Sequence, residues 1–220
     1  MKVNIVLRFA VVLTLIGIIL FASAGTVHYW QGWVFLAVSA VANLMIVAYL
    51  FRRNPALLER RMQRKELRPL QRWFQRAGML SWIGAVTLAG LDRRFGWTKP
   101  LPGWITAVAF LLLAASYVVI FEVMRVNAFA SATIELQPEQ KVIASGPYAI
   151  VRHPMYSGIV LMMLAVPPAL SSWVALVCSG IMIAALVVRL LDEETMLRTE
   201  LLGYGEYCTR VHWRLAPGVF

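Results

Sequence analysis

Long apolar stretches separated by short polar ones dominate this chain. They fall at about residues 5–24, 32–51, 77–91, 103–124, 155–170 and 172–190. The first, second and fourth reach the roughly 20 residues that an α-helix needs to cross a hydrocarbon core, whereas the third and fifth are shorter. We therefore expect an all-α protein, a polytopic transmembrane helical bundle with five to six membrane segments.

The last two apolar stretches predict a helical hairpin. Pro167 and Pro168, followed by Ser171 and Ser172, are typical of a tight turn between two helices. The fifth stretch is short, so the hairpin is open to two interpretations: it either spans the bilayer or stops short of the far surface.

The N-terminal stretch is also open to two interpretations. Lys2 and Arg8, an apolar run and the small residues at 22–24 fit a cleavable signal peptide. The apolar run also extends back through Val3 and Ile5, which brings it to spanning length. We therefore expect a retained first helix.

The composition indicates that many of the apolar side chains face lipid rather than a buried core. Hydrophobic residues make up 60% of the 220 residues, and the mean hydropathy is +0.70. A globule of this length cannot hide that share of apolar side chains, and the bilayer is the solvent that accepts them. The sequence predicts an integral membrane protein.

The net charge of +10 is concentrated in one interhelical loop, at residues 52–76. Nine of the 21 basic residues lie there: Arg52, Arg53, Arg60, Arg61, Arg64, Lys65, Arg68, Arg72 and Arg76. Residues 25–31 contain none. This asymmetry predicts that the basic loop, both termini and residues 125–154 are cytoplasmic, with membrane lipids rather than nucleic acid as the partner of the charge.

The remaining simple signals are negative. The two cysteines, Cys178 and Cys208, form neither a disulfide framework nor a metal-ligand pattern, so we expect no metal. No glycine-rich dinucleotide motif, P-loop or nucleophile elbow occurs.

The most polar motif precedes the hairpin and reads GPYAIVRHPMYSG, residues 146–158. Its Gly146-Pro147 pair predicts a turn, and the run Arg152-His153-Pro154 stops the chain just before a helix begins. Because proline suits the first turn of a helix, we expect the amides that follow it to point toward a ligand. A histidine framed by arginine, proline and tyrosine at a helix start indicates a polar site at the membrane surface.

A second candidate pair lies at the end of the last apolar stretch. Arg189 and Glu193 are four residues apart, so they share one face of a helix. They form either a surface ion pair or part of a site, because a charge at the end of an apolar run must snorkel or serve a function. Asp192 and Glu194, which flank the pair, are expected to face solvent.

The C-terminal tail offers a further group of basic and aromatic residues. Arg210, Trp213 and Arg214 are interpreted either as anchors to lipid headgroups or as contributors to the site.

The motifs GPYAIVRHPMYSG, EETML and GYGEYCTRV together resemble the isoprenylcysteine carboxyl methyltransferase family, specifically its bacterial members. The likeness extends upstream through residues 129–148 and 51–61. The GPY–RHPxY core is shared with phospholipid N-methyltransferases, and similar RHP motifs occur in membrane sterol reductases.

The resemblance implies S-adenosylmethionine as cofactor. The residues that match the family's pocket for it are Gln137, Gln140, Lys141, Val142, Ile143, Tyr148, His153, Pro154, Met155, Tyr156 and Glu193. Arg189 matches the substrate-contacting arginine, and with Glu193 it forms the expected catalytic pair. Two departures affect the alignment: the family's NFxHxVQ pattern reads differently around 127–129, and the segment before Tyr148 is shorter than in eukaryotic members.

The resemblance also implies a function. Residues 1–124 are then N-terminal transmembrane helices with the basic loop, and residues 125–220 form the catalytic region with the hairpin and the tail. We expect a bacterial inner-membrane methyltransferase with a cytoplasmic active site, acting on the carboxylate of a lipophilic small molecule or lipidated substrate. A carboxylate is already ionised at neutral pH and needs no general base.

Three other functions remain open at this point. They are a phospholipid N-methyltransferase, an NADPH-dependent sterol-type reductase, and a noncatalytic lipid-binding or transport protein.

Overall fold

A computed structural model of the chain describes residues 2–62, 69–129 and 140–220, and the described residues form helices without a β-strand. The helices are α1 Lys2–Ala24, α2 Trp30–Arg53, α3 Pro55–Met62, α4 Pro69–Phe95, α5 Gly103–Val126, α6 Pro154–Ala169, α7 Leu176–Glu200 and α8 Tyr204–Arg210. A 3₁₀-helical turn at Gly146–Ala149 precedes α6. The predicted all-α class is confirmed, and the architecture agrees with a helical membrane bundle.

Three helices are long and apolar enough to cross a membrane. Their apolar spans are Ile5–Ala24, Trp30–Arg53 and Gly103–Val126, in α1, α2 and α5. These are the three stretches for which the sequence predicted spanning length. Helix α6 is apolar but has only 16 residues, and the total of five to six membrane segments stays a prediction.

Helices α4 and α7 differ from their predicted stretches because both continue through polar residues. Helix α4 begins at Pro69, inside the predicted basic loop, and ends at Phe95. Helix α7 begins at Leu176 and continues past the apolar run to Glu200. The basic loop also contains α3, where Asn54 accepts a hydrogen bond from the amide of Leu57 (3.1 Å) and caps the helix start.

One apolar core joins the two halves of the chain. It contains Leu20 of α1, Val86 of α4, Leu113 of α5 and Val166 of α6. Helix α4 packs between α1 and α7, and α5 packs along α6. The division into regions 1–124 and 125–220 stays a prediction.

The turn of the predicted hairpin is confirmed and is fixed by the loop between α4 and α5. Buried Asp92 accepts hydrogen bonds from the amide (2.8 Å) and hydroxyl (2.7 Å) of Thr98 and from the hydroxyl of Ser172 (2.6 Å). The amide of Leu101 donates to the hydroxyl of Ser171 (2.8 Å), whose φ of 55° places it in the left-handed region. These polar contacts close one end of the bundle, so the polar motif before α6 lies at the opposite end.

The C-terminal tail folds back onto the start of α6. The amides of Arg152 and His153 donate to the carbonyls of Trp213 (2.8 Å) and Arg214 (2.9 Å). The hydroxyl of Ser157 donates to the carbonyl of Leu215 (2.6 Å). Backbone groups of the RHP motif are therefore satisfied by the tail.

Candidate functional site

A cavity of about 1210 Å³ lies at the end of the bundle that carries the polar motif. Helices α1, α4, α6 and α7 contribute to its wall, together with α8 and the segment before α6. The cavity therefore draws on both halves of the chain.

The predicted site residues converge on this cavity. Those that line it are Gln140, Lys141, Val142, Ile143, Tyr148, His153, Met155, Tyr156, Arg189 and Glu193. Pro154 is the first residue of α6 and does not line the cavity. Gln137 lies outside the described residues. The roles assigned to these residues stay predictions, but the structure gives the described ones a common location.

Tyr148 is held in the cavity wall by two contacts. Its hydroxyl accepts a hydrogen bond from the side-chain amide of Asn127 (2.7 Å), and its carbonyl accepts one from the hydroxyl of Tyr207 (2.7 Å). Burial raises the pKa of Tyr148 to about 12, so the phenol stays protonated at neutral pH. Both Asn127 and Tyr207 line the cavity and were not predicted as site residues.

His153 is the N-terminal cap residue of α6 and is buried. Burial lowers its pKa below the ordinary 6.5, although Glu193 and Glu194 oppose the shift, so the imidazole is neutral at pH 7. Its ring stacks on Tyr156, with centroids 5.7 Å apart, and its Nε2 lies 3.4 Å from the hydroxyl of Tyr204.

The prediction that amides after Pro154 point toward a ligand is wrong for Tyr156 and Ser157. Both amides donate to the carbonyl of His153, at 3.0 and 3.1 Å. The reason is that His153 caps the helix through its backbone oxygen, which uses these donors internally. Side chains, rather than this helix terminus, therefore line the polar end of the cavity.

Tyr156 connects the predicted catalytic pair. The Nε of Arg189 donates to the hydroxyl of Tyr156 (2.8 Å), and that hydroxyl donates to the carboxylate of Glu193. The Arg189 guanidinium also lies over the ring of Phe74, 4.6 Å from its centroid. Arg189 is buried, so these contacts place a cation of fixed orientation in the cavity wall.

The prediction that Glu194 faces solvent is wrong. Its carboxylate is buried and forms ion pairs with Arg152 (2.9 Å), Arg198 (3.0 Å) and Arg214 (2.5 Å). Burial alone raises the pKa of Glu194, but the hydrogen bonds from Arg214 and Arg198 and the charge of Arg152 outweigh it, and the pKa is lowered. The carboxylate faces inward because the RHP motif and the tail bring two arginines to that side of α7.

The structure places the two tail arginines, Arg210 and Arg214, in different surroundings. Arg214 contacts Glu194 and lies over the ring of Phe220 (5.1 Å), so it holds the tail against α7. Arg210 forms an exposed ion pair with Glu206 (3.3 Å) within α8 and is not among the residues that line the cavity.

The apolar half of the cavity was not predicted from the sequence. It is lined by one stripe on α1 and one on α4: Val12, Leu15, Ile16 and Ile19, and Met79, Trp82 and Ile83. Both stripes follow the three- and four-residue spacing of a single helix face. That spacing is visible in the sequence, but any lipid-facing helix shows it as well.

The polar half also contains basic residues that were not predicted as site residues. Arg61 of α3 and Arg72 and Arg76 of α4 line the cavity. Within the described part of the chain, no group of three or more His, Cys, Asp or Glu side chains is arranged to hold a metal ion. The arrangement can bind an anionic, amphipathic ligand beside a second, more polar one.

Residues 106–199 match the model of the isoprenylcysteine carboxyl methyltransferase (ICMT) family. Among curated proteins, none matches the chain. The matched region includes the RHP motif, Tyr156, Arg189 and Glu193, whereas the likeness noted for residues 51–61 and for the tail lies outside it. Residues 106–199 are therefore similar to the isoprenylcysteine carboxyl methyltransferase family, in a chain with three helices able to span a membrane.

Proposed function

We propose that this chain is an integral membrane methyltransferase that uses S-adenosylmethionine to esterify the carboxylate of a lipophilic, isoprenylcysteine-like acceptor. One observation carries the proposal: a single cavity joins buried Arg189 to two apolar helix faces and to the RHP motif. The charge distribution supports an active site at the cytoplasmic surface of a bacterial inner membrane, because Arg61, Arg72 and Arg76 of the basic stretch 52–76 line the cavity.

The residues at the polar end fit S-adenosylmethionine, which supplies an electrophilic methyl group on a positively charged sulfur. Glu193 offers a carboxylate for its amino or ribose groups, and the rings of Tyr148, His153 and Tyr156 offer aromatic surface. Residues 140–143 would complete the cradle. Because His153 is neutral, it adds no repulsive charge beside a cationic ligand.

Arg189 is suited to hold the acceptor's carboxylate. Its guanidinium is buried and oriented by Tyr156 and Phe74, so little conformational entropy is lost when it binds an anion. A carboxylate with a pKa near 4 is ionised at neutral pH, so the site needs no general base. What the chain contributes is alignment of two reactants, which accounts for large rate gains in displacement reactions.

The apolar faces of α1 and α4 are suited to the acceptor's hydrocarbon chain. Leu15, Ile16, Met79 and Ile83 lie along the cavity and carry no polar group. Burying a hydrocarbon chain there stabilises the complex by about 0.8 kcal/mol per methylene and displaces water from the reacting end. A water-poor site favours the meeting of a cationic donor and an anionic acceptor.

The product's chemistry tests the proposal directly. Membranes containing the full chain are incubated with methyl-labelled S-adenosylmethionine and an S-farnesylated N-acetylcysteine. A methyl ester releases its label in mild base, whereas an N-methylated lipid keeps it. We expect base-labile label; base-stable label on phospholipid would establish the N-methyltransferase alternative instead.

Two substitutions test the assigned roles. Arg189→Lys keeps the charge but loses the planar fork, so kcat or acceptor affinity should fall while donor affinity is kept. Glu193→Gln should weaken donor affinity first. Arg125→Lys and Glu122→Gln are matched controls, because that pair (2.7 Å) is partly exposed near the C-terminal end of α5 and does not line the cavity. Small, parallel losses in both cavity variants would contradict the assigned roles.

A further inference from the structure

The cavity's charge is not balanced by the ligands proposed so far. Among the described residues, the basic side chains that line it are Arg61, Arg72, Arg76, Lys141, Arg152 and Arg189, and the acidic one is Glu193. Glu194 neutralises Arg152 through their ion pair. A sulfonium donor is itself cationic, so it adds to the positive potential. A single acceptor carboxylate at Arg189 leaves Arg72, Arg76 and Lys141, among the described lining residues, without a ligand anion.

Two of these cations stand at the start of an amphipathic stripe. Arg72 and Arg76 are four residues apart on α4, on the face that continues through Met79 and Ile83. The stripe therefore passes from charged to apolar over 11 residues, about 16 Å at 1.5 Å per residue. That polarity matches an amphiphile whose anionic head lies at the arginines and whose chain runs along the helix.

The space beside this stripe follows from how α1 and α4 pack. At Gly90 the two helices touch so closely that a Cβ would lie 2.8 Å from the carbonyl oxygen of Leu20 and 2.9 Å from the amide of Ala24. Toward the other end, Val12 to Ile19 of α1 and Met79 to Ile83 of α4 line the cavity. The cleft thus closes near Gly90 and opens toward Arg72 and Arg76.

These arginines also lie near the proposed reaction centre. Phe74, which stacks on the guanidinium of Arg189 at 4.6 Å, is two residues from each of them on α4. One turn of this helix therefore carries both arginines and the ring that positions Arg189. A ligand that reaches Arg189 with a carboxylate therefore shares the cavity with a second pair of cations, Arg72 and Arg76.

We propose that Arg72 and Arg76 form a second anion subsite, and that the acceptor is an amphiphile with two anionic groups. One is the carboxylate that Arg189 holds for methylation, and the other, a carboxylate or phosphate, binds Arg72 and Arg76. This proposal rests on the proposed function, because it assumes that the carboxylate at Arg189 is methylated. The second anion, at Arg72 and Arg76, does not react. The same chemistry could reach the subsite on a separate anionic lipid headgroup, so the experiment distinguishes the two sources.

The probes are three S-farnesylcysteines that differ only at the amino group. The N-acetyl compound has one carboxylate, the N-succinyl compound has two, and the N-succinamoyl compound is the neutral isostere of the second. Methyl-ester formation is measured with the full chain in phosphatidylcholine vesicles, and mass spectrometry locates the ester. The variants are Arg72→Gln/Arg76→Gln and, as a control with the same charge change, Arg52→Gln/Arg53→Gln, which are exposed at the end of α2 and do not line the cavity.

We expect kcat/KM for the N-succinyl compound to exceed that for both others by about tenfold or more. A factor of this size corresponds to one additional charge-assisted hydrogen bond. In Arg72→Gln/Arg76→Gln this ratio should fall to about one, whereas Arg52→Gln/Arg53→Gln should keep it. Equal kcat/KM values in the unmodified protein, or equal loss in both variants, would overturn the proposal; the latter would indicate general surface potential.

Two further arms separate the other outcomes. Vesicles with added phosphatidylglycerol test the lipid source: stimulation of the N-acetyl reaction through Arg72 and Arg76, with no N-succinyl advantage, would overturn the proposal in favour of a bound lipid. Equilibrium binding of the three compounds is measured without the donor. If no ester forms on any compound but N-succinyl binding depends on the two arginines, the subsite stands and the proposed reaction fails.

Discussion

The guanidinium of Arg152 and the carboxylate of Glu194 form an ion pair at 2.9 Å with both side chains about 95% removed from solvent. Arg152 also donates to the carbonyls of Val211 and His212, each at 3.0 Å. This pair joins three segments that are distant in sequence: the RHP motif, α7 and the tail. Arg152 lines the cavity and Glu194 does not, so the pair ties part of the cavity wall to α7 and the tail.

Glu194→Gln should destabilise the protein strongly. The substitution removes the negative charge that compensates Arg152 and Arg214, and breaking a buried pair from one side costs about 3–5 kcal/mol. Unfolding in detergent, followed by circular dichroism, measures the loss. Glu206→Gln is the matched control, because its pair with Arg210 is exposed and should contribute little. Equal stability of the two variants would contradict a structural role for the buried pair.

Acid should weaken the fold in two separate pH windows. The folded-state pKa of His153 is below its ordinary 6.5, so the unfolded chain takes up a proton first and stability falls as pH drops below about 6.5. The pKa of Glu194 is below its ordinary 4.5, so its contribution is present above that value and is lost at lower pH.

Unfolding measured between about pH 8 and pH 5 isolates the first of these windows. His153→Gln should flatten the curve there, because the residue that takes up the proton is gone. His212→Gln, at an exposed position in the tail, should keep the slope. An unchanged slope in His153→Gln would show that another group titrates in that range.

Much of the helical architecture could be predicted because the length and hydropathy of an apolar stretch identify a membrane helix in the sequence. The stretches at 5–24, 32–51 and 103–124 lie within helices that are long enough to span. The ends of α4 and α7 could not be predicted in this way. The first turns of α4 include Arg72, which lines the cavity, and the last turns of α7 include Glu194, which pairs with Arg152. Both segments are helical although their hydropathy is low, because these contacts with distant parts of the chain stabilise them.

The candidate site was predictable only where its residues are close together in sequence. His153 and Tyr156 lie in one motif, and Arg189 and Glu193 are separated by one helical turn. The contact from Arg214 to Glu194 links residues 20 positions apart through a folded-back tail, and no local spacing indicates it. The bridge formed by Tyr156 joins α6 to α7, which only the packing of the hairpin creates.

The close contact of α1 and α4 predicts a sharp difference between two glycines. In Gly90→Ala the new Cβ would lie 1.9 Å from the hydroxyl of Ser23 and under 3 Å from the backbone of α1, so stability should fall by about 1–3 kcal/mol or more. Gly180→Ala on α7 meets open space and should be neutral or slightly stabilising. Thermal unfolding in detergent compares the two; equal effects would contradict the contact at Gly90.

The charge asymmetry predicts which surface each end of the bundle faces. Cys178 and Cys208 are first replaced by alanine, and single cysteines are then placed at the exposed positions His28 and Glu206. A membrane-impermeant maleimide should label position 28 in intact cells and position 206 only after the membrane is opened. The reverse pattern would move the proposed active site to the outer surface.

The hydroxyl of Tyr156 should affect both the acceptor site at Arg189 and the donor site at Glu193. Tyr156→Phe keeps the ring that stacks on His153 but removes the group that accepts from Arg189 and donates to Glu193. Hydrogen bonds to charged groups contribute about 1.5–3 kcal/mol each, so kcat/KM should fall by tenfold or more. Both acceptor and donor affinity should weaken, because each charge loses its orienting partner.

A purely structural hydroxyl would behave differently, and Tyr117→Phe shows how. Tyr117 is largely buried and lies near Asn43 (3.5 Å) outside the cavity, so its loss should lower stability and leave both affinities unchanged. Donor affinity by calorimetry, acceptor KM and unfolding temperature are measured for both variants. If Tyr156→Phe lowers stability but leaves both affinities unchanged, as Tyr117→Phe should, the bridge positions neither reactant. Arg189 and Glu193 would then act independently of the Tyr156 hydroxyl.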